Sequence, residues 1–260
     1  MHYRALDDEY FEVFMATSSS VFEKIGSSAF PNTYRCMAMF CAKTNSLKTA
    51  MFDCVDSNNP YAFKILFRCF CEHYLKFMYV WSRFAAERND EAGKDFYSYC
   101  GAIEAQEYVD ALAVGERLVG NDVVVQARNA IAKLYPEAST LSTGELAKKS
   151  GQFKYRAILR FLAGEQFKFI AAERPFLATI APAYALLSSF VHGGPYADME
   201  MEGFSKPAAL KECHKNAEVV VLMSASVYLL TSSVVAREYP AITKVSAAVN
   251  AVLKRGLSKK

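Results

Sequence analysis

One segment narrows the fold before any other is read. Residues 219–236, VVVLMSASVYLLTSSVVA, carry no charge for 18 residues, between Glu218 and Arg237. Such a run either crosses a bilayer, for which it is near the minimum length, or lies at the centre of a large helical bundle. Four serines, Thr231 and Tyr228 dilute its apolarity. Neither a basic cluster nor an aromatic belt marks its ends. The residues therefore favour a buried core helix without membrane association, and a core helix needs other helices around it. Membrane anchoring is the competing reading, and solubility without detergent would argue against it.

Those other helices are plentiful. Acidic Asp7, Asp8 and Glu9 suit the positive end of a helix over 7–25, which Gly26-Ser27-Ser28 and Pro31 break. Asn32 is placed to cap a second helix reaching Asp56. The loop Ser57-Asn58-Asn59-Pro60 follows, with Pro60 suited to the first turn of a third helix over 60–88. Further helices are expected through Tyr97, Ile103 and Tyr108 towards Ala113, and over 122–134, 155–162 and 175–192. Ser142-x-x-Glu145 spells a capping box for the short GELAKKS helix. Pro207 starts the helix holding the uncharged run, and Pro240 starts the last one, before a short basic tail at 254–260. With no repeat and no long linker, the expectation is an all-α chain: one compact multi-helix bundle over 1–260 with long central apolar helices.

Charge excludes little. Thirty basic residues face 27 acidic ones, too even a balance to imply nucleic-acid or membrane binding by itself. Seven cysteines, an odd number without a CxxC pair, read as small core hydrophobes in a reducing, cytoplasmic setting, with no metal site and no cofactor expected. The acids of MHYRALDDEYFEVF occupy the place of a signal peptide's apolar core.

The third helix holds the first candidate site. It is apolar nearly all round, yet Lys64, Arg68, Glu72 and Lys76 recur every four residues as one narrow stripe. Such a stripe is either a thin solvated face or the polar wall of a cleft. A second polar edge, Tyr184, Ser188 and His192, repeats at the same spacing near a helix end punctuated by Gly193-Gly194-Pro195. The two edges could meet across the bundle and bind a small anionic ligand or a protein partner. The segment FKYRAILRFLAGEQFKFIAAERP interleaves bases (Lys154, Arg156, Arg160) with aromatics, a pattern that can bind single-stranded nucleic acid. An amphipathic helix with a solvated basic face explains it more economically.

Arg68 and His73 spell Arg-x4-His, which resembles the motif of HEPN domains, helical bundles that often act as metal-independent ribonucleases. The resemblance implies general acid–base cleavage of RNA by a histidine, His73 or His192, with Arg68 stabilising phosphate. Residues five apart on one helix, however, point about 140° away from each other. Three segments in order, FKILFRCFCEHYLKFMYVW, ELAKKSG and YALLSSFVHGGP, also resemble an uncharacterised bacterial all-helical family. That likeness implies a bundle in which arginine, glutamate and histidine approach one another. It further suggests a homo-oligomer and a role in bacterial stress or antiviral defence.

Overall fold

In a computed structural model of the chain, residues 3–121, 132–164, 174–204 and 207–258 are described. Most of the helix expected over 122–134, and residues 165–173 of the basic aromatic segment, lie outside them. Every regular element among the described residues is helical. In chain order these are α1 (Tyr3–Phe22), α2 (Pro31–Asp56), α3 (Pro60–Glu87), α4 (Glu91–Asp95) and α5 (Gly101–Leu118). They continue with α6 (Pro136–Ser139), α7 (Thr143–Gly151), α8 (Tyr155–Leu162), α9 (Arg174–His192), α10 (Pro195–Met201), α11 (Pro207–Glu238) and α12 (Thr243–Leu257).

The uncharged run sits in α11. That helix is long and apolar enough to cross a membrane, but 72% of its most apolar stretch is buried by the rest of the protein. Helices α1, α2, α3 and α12 pack around it. Its hydroxyls mostly find partners: Tyr228 Oη meets Thr17 Oγ1 at 2.8 Å, Thr231 Oγ1 donates to the Val227 carbonyl at 2.8 Å, and Ser232 Oγ meets Ser246 Oγ at 3.0 Å. Hydroxyls in a run like this are tolerated in a core because they bond locally.

Helix α3 is the second axis of the bundle. Pro60 takes its first turn and the Asn59 side chain accepts from the Ala62 N–H at 3.1 Å. Arg88 closes it in the left-handed region at φ 53°. Phe63, Phe70, Tyr74 and Phe77 are fully buried against α2, α9 and α11; each buried aromatic contributes roughly 1.5–3 kcal/mol.

Four boundaries differ from expectation, the last helix starting at Thr243 and running to Leu257, into the basic tail expected at 254–260. Helix α1 starts at Tyr3, so Asp7 lies in its second turn. There it pairs with Lys48 of α2, which is 1% exposed and lies 4.9 Å from the Tyr10 ring centroid. Asn32 does not cap α2. Pro31 is already the first helical residue, and the free N–H groups of Asn32 and Thr33 donate to the two carboxylate oxygens of Asp90, at 3.2 and 2.8 Å. The cap thus comes from 58 residues away, and it holds α4 so close that a Cβ on Gly93 would stand 2.3 Å from the Thr33 nitrogen. Beyond α4 the helix widens into a π turn over Phe96–Cys100 and continues past Ala113 to Leu118. The Ser142 capping box forms as its sequence pattern implies, with the Glu145 N–H donating to Ser142 Oγ and the Ser142 N–H to Glu145 Oε2. All seven cysteines are free, and Cys36, Cys41, Cys71 and Cys213 are buried.

Candidate functional site

The stripe on α3 is not a solvated face. A four-residue step turns about 40° past a full circle, so successive members meet different neighbours along the seam with α9. Lys64, 8% exposed, faces α10 and α11, where its Nζ donates to Glu200 Oε2 at 2.9 Å. Arg68, one turn on, reaches α9: its Nη2 donates to Tyr184 Oη at 2.5 Å and its Cζ lies 4.2 Å from the Tyr184 ring centroid. Its Nη1 donates to Glu72, whose other oxygen pairs with Lys76 Nζ at 2.8 Å. Burial pushes the Glu72 carboxyl up, but the ion pairs with Lys76 and Arg68 outweigh it and hold the group below the usual carboxylate range. The chain Arg68–Glu72–Lys76 therefore carries a net positive charge at neutral pH.

Tyr184 is held on both faces. Opposite the guanidinium, the Tyr155 ring of α8 stacks on it at 4.1 Å and 9° between planes, and Tyr155 Oη donates to the Ala181 carbonyl. Burial raises the Tyr184 phenol above its ordinary range, so it stays protonated and can both accept from Arg68 and donate. Beside this stack opens a cleft of about 570 Å³, lined by Glu72, Lys76, Glu107 of α5, Lys154, Tyr155, Arg156 and Tyr184. Lys154 and Arg156 are exposed, and neither has an ion-pair partner among the described residues. The basic aromatic pattern read as a solvated helix face is thus also one wall of a cleft. Helix α8 buries Ile158, which also lines the cleft, and Leu162.

The remaining candidates stand elsewhere. His73 turns away from Arg68: its Nδ1 lies 2.8 Å from the Cys69 carbonyl and its ring meets Phe40 of α2 edge-on at 6.2 Å. Burial lowers its pKa, partly offset by the Cys69 carbonyl, and Lys43 and Lys76 lower it further. Ser188 Oγ donates to the Tyr184 carbonyl at 2.9 Å and so closes on its own helix. His192 is exposed at the end of α9, eight residues and hence about 12 Å along the axis from Tyr184. Gly193 follows at φ 63° and lets the Gly194 N–H reach the Ser189 carbonyl, the bond that closes a helix of this kind. Arg68, Glu72, Lys76 and Tyr184 come together; Lys64, His73, Ser188 and His192 do not join them. Glu107, Glu200 and Glu212 carried no sequence signal, since no motif or repeated spacing sets them apart from the other acids of their helices.

No family model, curated protein or solved structure matches this chain. The resemblances drawn from Arg68-x4-His73 and from the three ordered segments therefore support an all-helical fold and no family assignment.

Proposed function

We propose that this chain is a helical binding protein that takes a small anionic ligand in the cleft between α3, α8 and α9. The observation that carries this reading is the charge left over there. Glu72 is shared by Arg68 and Lys76, while Lys154 and Arg156 form no ion pair among the described residues and outnumber Glu107, the other acid lining the cleft. An anion entering the cleft would meet those two cations, with the Lys76 ammonium behind them and aromatic faces beneath. Arg68 acts as a positioning residue. Its bidentate, planar guanidinium fixes Tyr184 by hydrogen bond and stacking, and fixes Glu72 by ion pair, a set of contacts that lysine could not reproduce.

The ribonuclease alternative needs a histidine within reach of Arg68. Within one chain, His73 lies on another face of α3 and His192 at the far end of α9, so the geometry favours binding over cleavage.

Calorimetric titration with pyrophosphate tests the proposal. Wild type should bind saturably and more weakly as salt rises, and Lys154→Ala/Arg156→Ala should lower affinity at least about tenfold. Arg68→Lys should lower it too, by loosening Tyr184. Absence of binding by folded wild type would remove the reading. Cleavage of single-stranded RNA in EDTA, lost in Arg68→Ala, would put the ribonuclease in its place.

A further inference from the structure

A second cavity, between α3, α9, α10 and α11, has the opposite electrostatic character. It measures about 440 Å³, within the range of about 300–1,000 Å³ that small-molecule sites occupy. Phe67, Pro182, Leu187 and Phe190 form apolar walls, and the half-exposed Leu186 stands at the mouth. Pro182 suits such a wall. Set mid-helix, it removes the N–H that would bond the Ala178 carbonyl and presents only ring carbons.

The polar end holds Lys64, Glu200, Glu212 and Tyr196. Lys64 is engaged: it donates to Glu200 at 2.9 Å and lies 5.1 and 5.4 Å from the ring centroids of Phe190 and Phe204. Both oxygens of Glu200 are engaged, since the second accepts from Tyr196 Oη at 3.2 Å. The Lys64 hydrogen bond holds its carboxyl below the usual range. Glu212 stands 3.8 Å from Lys64, beyond hydrogen-bond length, and accepts no hydrogen bond among the described residues. One cation is thus shared by two carboxylates, Glu212 holding the longer and weaker share, and the three groups leave one net negative charge beside an apolar cavity.

That combination selects among ligand classes. An anion would find Lys64 occupied and two carboxylates opposing it. A neutral apolar molecule would fill the walls and leave the net negative charge of Lys64, Glu200 and Glu212 unbalanced. An amine with an apolar body matches both, and the Tyr196 ring adds attraction for its cation. We propose that this cavity binds a small organic monocation, an amine with an aromatic or alkyl body.

Three probes with nearly the same body but different charge test this: 2-phenylethylamine, 2-phenylethanol and 3-phenylpropanoate, each titrated calorimetrically into the full chain. The amine should bind saturably and at least about tenfold more tightly than the alcohol, with no detectable binding of the carboxylate. Glu212→Gln, a change at a half-exposed side chain that leaves the Lys64–Glu200 pair intact, should bring the amine down to the alcohol's affinity. Glu23→Gln, which removes an exposed carboxylate after α1, should leave amine binding unchanged. The proposal is overturned if amine and alcohol bind alike, if the carboxylate binds more tightly, if the amine does not bind, or if Glu212→Gln has no effect.

Discussion

His73 is half-buried and tied by its ring to its own helix. Its Nδ1 lies 2.8 Å from the Cys69 carbonyl, a geometry that suits a neutral ring donating from that nitrogen. Burial depresses its pKa in the folded protein, so on acidification the unfolded chain takes up the proton first. The stability this group contributes is complete above the ordinary histidine range, about pH 6.5. It is lost as pH falls from there through the lower folded value. Urea denaturation from pH 7.5 down to 5.5 should show wild type losing stability, and His73→Gln losing distinctly less over the same interval. Equal slopes in the two proteins would mean that His73 is not held neutral by the fold.

At the scale of elements, α2 depends on a cap from outside itself. Asp90 satisfies two N–H groups at the start of α2, so Asp90→Ala should cost about 1–2 kcal/mol, read as a lower urea midpoint at unchanged slope. A loss within experimental error would show that water serves those groups as well. This contact also marks where sequence reading stops. Pro31, Pro60, Pro207 and Gly193, together with the Ser142–Glu145 pair, act through neighbours a few residues away, and the helices they punctuate could be placed from the chain alone. Asp90 acts across 58 residues, and nothing local distinguishes it from Asn32, the nearer capping residue. The α1 start shifted for a related reason: Asp7 reads as a dipole partner at a helix end, whereas its actual partner is Lys48 on another helix.

At the scale of the molecule, the spacing of Lys64, Arg68, Glu72 and Lys76 identified one surface, and Tyr184 identified the helix it meets. The spacing could not say that the slow turn of the stripe divides it between two cavities. Lys64 goes to the amphipathic cavity with its two carboxylates, and Glu72 with Lys76 to the basic cleft. Nor could it bring α8 alongside, because the stacking of Tyr155 on Tyr184 is set by packing rather than by any local pattern. The central claim is that an anion binds against that stack. It is tested most directly by ¹³C-labelled tyrosine rings followed by NMR during a pyrophosphate titration, with resonances assigned by single Tyr→Phe changes. The account predicts that Tyr155 and Tyr184 shift together with one midpoint while Tyr196, in the other cavity, stays in place. Movement of Tyr196 without the other two, or no movement of Tyr155 and Tyr184 at saturating ligand, would contradict it.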